Sequence, residues 1–175
     1  VNAEKSAIAL PEERHFVGFR LGVQAGKPVE GLLSERSKKR IDTKIRELTP
    51  RTWGASLREC IRQVNGYLNG WIGFFGICTE ASERTFAGLD AHIRRRLRAI
   101  QLKHWKHKRT MAKRLIQLGV PRATAWRKVY EGRKSFWNLS HDPAVDRGLR
   151  NAYFAERGLV SLRDRWGKHP QRMVA

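Results

Sequence analysis

The fold is decided by the stretch 56-SLRECIRQVNGYLNGWIGFFG-76, in which large apolar residues recur at spacings of four and three. That period is typical of one face of an α-helix. Ser56 and Glu59 have the spacing of a capping box, which marks the start of the helix. We therefore predict an amphipathic helix whose bulky face packs into the core of a bundle. The residues of that face are Leu57, Ile61, Val64, Leu68, Trp71 and Phe75.

Three glycines of this helix share a second face. Gly66, Gly70 and Gly73 lie at i, i+4 and i+7, although glycine inside a helix costs about 1 kcal/mol relative to alanine. A face without side chains lets another backbone approach closely, and that backbone could belong to a neighbouring helix or to a nucleic acid. We expect the helix, because the basic residues are concentrated mostly on the next one. A bilayer span is excluded, since about a dozen apolar residues are fewer than the ~20 required.

Patterns on either side predict a mainly α-helical chain with a short β hairpin at its start. Residues 15–23 are typical of a strand, residues 24–28 of a turn, and residues 29–33 of a returning strand. Amphipathic helices are predicted from Ser34 to Pro50 and from about Ser82 to about Lys108. With the glycine-bearing helix they make a three-helix bundle.

The C-terminal part is predicted to be a small helical region. Residues 115–130, broken at 119-GVP-121, resemble a helix-turn-helix. Asp142 and Pro143 form an N-cap and first-turn pair for a helix that Gly158 closes. Residues from Ser161 on are expected to be loosely ordered.

The composition points to a polyanionic partner. The chain of 175 residues has 36 Lys and Arg against 16 Asp and Glu, a net charge of +20. Nucleic acid is the first explanation for such an excess and an anionic membrane the second. Two cysteines without a CxxC motif exclude a disulfide scaffold or a four-cysteine zinc site, and they favour a reducing compartment. With no signal peptide or transmembrane segment in view, we expect a cytoplasmic location, the nucleoid included.

The basic residues are segregated, because no acidic residue occurs between Asp90 and Glu131. Like charges along this segment repel each other until an anion binds, and phosphate is the natural one. Our candidate RNA-binding residues are Arg94, Arg95, Arg96, Arg98, Lys103, Lys106, Lys108, Arg109, Lys113 and Arg114. Among them, Arg94, Arg95 and Arg98 are expected on the flank and rear of the helix. Candidate DNA contacts on the second helix of the helix-turn-helix are Arg122, Thr124 and Arg127.

Other side chains of this segment allow different roles. Trp105 could stack on a base, but we favour packing against the segment after Met111. His104 and His107 lie three residues apart without a carboxylate or cysteine nearby, so no metal site is predicted. The sequence also lacks paired carboxylates for two-metal catalysis, GxSxG and a phosphate-cradling GxxxxGK[ST] loop. From these residues alone the chain is not identified as an enzyme.

Several motifs, in order, resemble the C-terminal part of a group II intron reverse transcriptase/maturase. The segments 1-VNAEKS-6 and 15-HFVGFR-20 resemble the closing palm motifs VNxxKS and FLGF, with Val17 in place of Leu. Gly70, Trp71 and Phe75 fall in a segment similar to the GWxxYF end of the maturase-specific helix. Leu89-Asp90, 93-IRRRLR-98 and Trp105-Lys106 resemble the motif LDxWIRRRLR…WK. Residues 143–162 resemble the family's terminal Asn-Ala-Tyr-Phe…Gly-Leu segment.

The resemblance implies a domain plan: the end of the palm in residues 1–33, the maturase-specific thumb bundle in 34–110, and a basic DNA-binding-like region in 111–175. It implies binding of intron RNA and of a template–primer duplex, with target DNA as a further partner, in splicing and reverse transcription of a mobile element. The family enzyme is an RNA-directed DNA polymerase that uses Mg²⁺. Its Tyr-Ala-Asp-Asp motif would lie before Val1, so we expect RNA binding without polymerisation and no cofactor in these residues.

Two further positions depart from the family pattern: Asn69 replaces a common Arg, and Phe74 replaces a common Tyr. Because these residues contain no CxxC motif, we do not expect them to include the zinc-binding endonuclease extension that some members carry. Two rival hypotheses remain: a helix-turn-helix DNA-binding module, and an intact polymerase of which this chain is a part.

Overall fold

The computed structural model confirms a mainly α-helical chain with a short antiparallel sheet at its N-terminal end. The structure describes residues 10, 15–23, 26, 28–79, 82–132 and 134–169. The first palm-like motif, residues 1–6, lies outside the described residues.

The sheet consists of three antiparallel strands, β1 (His15–Phe16), β2 (Phe19–Gly22) and β3 (Glu30–Leu33), in that order. The predicted pairing of the first strand with a returning one is confirmed by β2 and β3. The prediction of one continuous strand over residues 15–23 is wrong, because Val17 and Gly18 have φ of 49° and 90° and reverse the direction of the chain. Two successive residues with positive φ are typical of a tight hairpin turn.

The helices that follow are α1 (Glu35–Leu48), α2 (Leu57–Phe75), α3 (Glu83–Trp105), α4 (Lys108–Gln117), α5 (Arg122–Tyr130), α6 (Phe136–Leu139), α7 (Pro143–Gly148), α8 (Asn151–Ala155) and α9 (Leu162–Gly167). The long helix α2 packs against α1 and α3, which confirms the predicted bundle. Its capping box is formed as predicted, with Ser56 Oγ accepting from the Glu59 N–H at 3.1 Å. Its bulky face is buried except for Phe75, which is half-buried.

Two predictions for the C-terminal region are wrong. Asp142 caps the helix at Pro143 as expected, but that helix ends at Gly148, and α8 begins a separate one. The break lies at Leu149, whose ψ of 56° is not helical. Residues after Ser161 are ordered as far as the described chain extends, because α9 buries Leu162 and Trp166 in the core.

A carboxylate from α3 holds α9 in place. Asp90, which is 5% exposed, accepts hydrogen bonds from the N–H groups of Leu162 at 2.9 Å and Arg163 at 3.1 Å and from Ser161 Oγ at 2.8 Å. The first N–H groups of a helix have no acceptor within the helix, and negative charge is favourable there. Asp90 of the family-like motif is therefore a helix cap supplied from a distant part of the chain.

The expectation that a neighbouring helix covers the glycine face of α2 is also wrong. A Cβ added at Gly66, Gly70 or Gly73 would meet no described atom within 4 Å. Close approach occurs instead at Gly76, just after α2, where an added Cβ would clash with the ring of His169. The glycine face is thus open, and of the four glycines in this stretch Gly76 alone makes room for a neighbouring side chain.

Candidate nucleic-acid interface

The basic run of α3 does not form one exposed surface, because its arginines point to different neighbours. Arg98 is only 8% exposed. Its Nε donates to the carbonyl of Leu149 at 2.9 Å, and its guanidinium pairs with Asp146. Burial lowers the pKa of Arg98, an effect that Asp146 opposes. The flank of α3 that carries Arg98 is therefore covered rather than exposed, and the side chain ties α3 to α7.

Arg96 and Lys103 close the C-terminal end of α1. Arg96 Nη2 donates to the carbonyl of Thr49 at 2.6 Å, and Lys103 Nζ donates to the carbonyl of Arg51 at 3.0 Å. Carbonyls at the end of a helix lack partners within the helix, and cations are favourable there. Desolvation by burial, followed by the charge of Arg46, lowers the pKa of Arg96. Both side chains are half-buried, and their hydrogen bonds hold the segment after α1 against α3.

The other two arginines of the run are also partly enclosed. The guanidinium carbon of Arg95 lies 3.7 Å from the ring centroid of Trp137 in α6, a cation–π contact. Arg94 is half-buried beside α8 and has no hydrogen bond or ion pair within the described part of the chain. Trp105 is half-buried and packs against the apolar core, as we favoured. The α3 segment therefore supplies few cations to solvent.

The exposed cations of the acid-free segment lie on α4, on α5 and in the turn before α4. We name them the α4–α5 basic surface: Lys106, Lys108, Arg109, Lys113, Arg114, Arg122 and Arg127. Lys108 Nζ donates to the Gly132 carbonyl at 3.1 Å, and Arg114 donates to Gln117 at 3.1 Å. Within the described residues the others have no hydrogen bond or ion pair. Arg109 and Lys113 are neighbours on one face of α4, because they lie four residues apart.

Acidic residues next to this surface are already occupied. Lys134 and Lys128 both bond to Glu131, at 2.8 Å and 3.0 Å, and hold its pKa at about 2. Asp90, at the other end of the acid-free segment, is buried as the cap of α9. No carboxylate of the described chain therefore neutralises the exposed cations of the α4–α5 basic surface. Such a surface attracts a polyanion.

The two helices of this surface are joined by a short turn, which is one feature that a helix-turn-helix requires. Helices α4 and α5 pack against each other across a turn in which Gly119 has a φ of 86°. Of the candidate DNA contacts, Arg122 and Arg127 are exposed, whereas Thr124 is half-buried. The two arginines are therefore presented to solvent, whereas the threonine is only partly exposed.

A second basic surface, on α1, was missed by the sequence analysis. Arg40 lines a groove of about 640 Å³ together with Phe16 of the hairpin and Tyr67 and Phe74 of α2. Lys39 is exposed beside it on the same helix. The signal was available in the sequence, because basic residues at 36, 39 and 40 fall on one face of a helix. The aromatic wall of the groove could not be predicted from sequence, because it depends on how the hairpin packs against α2.

The signature residues of α2 join the hairpin to the bundle. The rings of Trp71 and Phe75 are 4.6 Å apart, and Phe75 lies 5.2 Å from Phe19 of β2. Trp71 also meets the edge of Phe86 of α3 at 6.0 Å. The Trp and the Phe of the signature are therefore core residues, whereas Gly70 lies on the open face.

The described residues contain no group of three His, Cys, Asp or Glu side chains that could hold a metal ion. None of the described helices is both long and apolar enough to cross a membrane.

The comparison with known families agrees with the resemblance read from the motifs. Residues 38–118 match the model of the group II intron maturase-specific domain. This range runs from α1 through α4, so it contains the bundle and the first helix of the α4–α5 basic surface. No curated protein matches the chain.

Proposed function

We propose that this chain, whose residues 38–118 match the model of the group II intron maturase-specific domain, is the RNA-binding maturase and thumb portion of an intron-encoded reverse transcriptase. It grips folded intron RNA during splicing and the template–primer duplex during reverse transcription. The observation that carries the proposal is the α4–α5 basic surface, whose cations have no carboxylate partner in the described chain. Phosphate oxygens supply the missing negative charge.

Recognition of this kind depends on backbone and shape. The edges of bases are poorly accessible in the deep major groove of A-form RNA, whereas phosphates are accessible everywhere. Flexible Lys and Arg side chains on α4 can follow a phosphate backbone without reading sequence. The groove beside Arg40 offers a second contact region, suited to the duplex because it lies between the palm-like hairpin and the thumb-like helices.

A DNA-binding module is the second candidate function. The observation in its favour is the helix-turn-helix arrangement of α4 and α5, with Arg122 and Arg127 exposed on α5. In such motifs the second helix enters the major groove of B-form DNA. In an intron-encoded protein this surface would contact target DNA.

Competition binding distinguishes the two functions. A labelled RNA hairpin bound to the protein is challenged with unlabelled hairpins of RNA and of DNA of the same sequence. The proposed function predicts that RNA displaces the label at roughly tenfold lower concentration than DNA. Equal or better displacement by duplex DNA would favour the DNA-binding module instead.

A further inference from the structure

A cavity of about 160 Å³ lies where the end of α1, the middle of α3 and the start of α6 meet. Its walls include Thr49 and Arg51 after α1, Arg96, Ile100 and Lys103 of α3, and Phe136 of α6. An engineered cavity of about 150 Å³ in another protein accommodates benzene, so this space suits one flat ring system. The α6 wall belongs to residues beyond the matched 38–118 range.

Phe136 gives the cavity an aromatic face that is available for stacking. It is 37% exposed and has no aromatic or cationic ring contact within the described chain. Trp137, the next residue, already carries the guanidinium of Arg95 on its ring at 3.7 Å. A second flat group entering the cavity would therefore stack on Phe136.

The charged groups that line the cavity are all cationic hydrogen-bond donors. Arg51, Arg96 and Lys103 line it, and no carboxylate is among the lining residues. Lys103 Nζ donates one hydrogen bond, to the Arg51 carbonyl, and an ammonium group has three N–H donors. Arg96 uses Nε and Nη2, which leaves Nη1 without a described acceptor. The complementary ligand is flat, rich in acceptors and anionic, and a nucleotide has all three properties.

We propose that this cavity holds one unpaired base of the bound RNA, stacked on Phe136, with the adjoining phosphate against Arg51 and Lys103. The inference rests on the proposed function, because the base belongs to an RNA that the protein already binds. It gives the half-buried basic residues of α3 a second role beyond closing α1. It also assigns the C-terminal helix α6 a direct part in RNA binding.

Two RNA hairpins test the proposal: one fully paired, the other with a single bulged 2-aminopurine, an adenine analogue whose fluorescence falls when it stacks. The full chain is compared with Phe136→Leu, which keeps an apolar side chain without a ring, and with Phe136→Tyr, which keeps the ring. We expect wild type and Phe136→Tyr to bind the bulged hairpin roughly tenfold more tightly than the paired one. The fluorescence of the bulged base falls on binding, and Phe136→Leu abolishes both effects.

The outcomes separate this inference from the proposed function. Equal, tight binding of both hairpins by the wild type would overturn the base pocket while leaving RNA binding intact. A bulge preference that survives Phe136→Leu, with unchanged quenching, would also overturn it. Failure to bind either hairpin would refute the proposed function and the pocket with it. Melting temperatures of both variants within a few degrees of wild type confirm that the comparison concerns folded protein.

Discussion

Removing the charge of Asp90 is expected to loosen α9 from the bundle. The carboxylate accepts bonds from Leu162, Arg163 and Ser161, and the substitution Asp90→Asn replaces one of its two oxygens with an NH₂ group. The remaining oxygen can accept from the Leu162 N–H or from Ser161 and Arg163, but not from all three. The NH₂ group that replaces the other oxygen is itself a donor, so it cannot accept a hydrogen bond. Hydrogen bonds to a charged group contribute about 1.5–3 kcal/mol each, so the free energy of unfolding should fall by about 2–4 kcal/mol.

The assay is thermal unfolding followed by circular dichroism. For a chain of this size, 1 kcal/mol shifts the melting temperature by about 2–4 °C, which gives a fall of about 10 °C for Asp90→Asn. The matched control is Asp164→Asn, which removes the same charge from an exposed position in the first turn of α9. There only the helix-dipole interaction is lost, about 0.3–1 kcal/mol. Equal melting temperatures for the two variants would refute the role of Asp90 as a cap.

Three further predictions follow from particular contacts. Gly70→Ala should raise the free energy of unfolding by up to about 1 kcal/mol, because the site is open and alanine favours the helix. Gly76→Ala should instead lower the free energy of unfolding, because the added methyl group clashes with the His169 ring. Urea unfolding of both variants measures the two changes, and a shift in the same direction for both would contradict the reasoning. Arg98→Met should lower the free energy of unfolding by about 1–3 kcal/mol, because it leaves the Leu149 carbonyl unpaired, yet RNA affinity measured on folded protein should not change. Burial raises the pKa of Cys60 to about 12 and of Cys78 to about 11. Neither thiol should therefore react with an aromatic disulfide at pH 8 until the protein is denatured. Rapid reaction of the native protein would contradict the burial of the two thiols.

The helical bundle could be predicted from sequence because its signals are local. The apolar period of α2, the Ser56 capping box and the Asp142-Pro143 pair each depend on residues within one or two turns. The pairing of β2 with β3 could be predicted too, but the turn between β1 and β2 could not, because Val17 adopts a positive φ that a β-branched residue rarely takes. Local propensity gave no reason to break the strand there.

The arrangement of the candidate site could not be predicted, because it depends on contacts distant in sequence. Arg98 fits a basic flank on a helical wheel, but α7 packs over it and converts it into an internal tie. The order of α9 depends on Asp90, more than seventy residues earlier. Likewise, the openness of the glycine face depends on where neighbouring helices pack, which the glycines themselves do not determine. The acid-free basic segment, by contrast, could be recognised from the sequence, because the absence of acidic residues between Asp90 and Glu131 does not depend on the fold.

The central claim is that the α4–α5 basic surface binds RNA through phosphates, and the salt dependence of RNA affinity tests it most directly. The variant Lys106→Gln, Arg109→Gln, Lys113→Gln removes three exposed cations of that surface. Its control, Arg58→Gln, Arg84→Gln, Arg165→Gln, removes the same charge from exposed positions on α2, α3 and α9. Each lost phosphate contact lowers the slope of log affinity against log salt by about 0.9, so the first variant should lose about 2–3 units of slope and the control less than about one. Equal slopes for the two variants would contradict the claim.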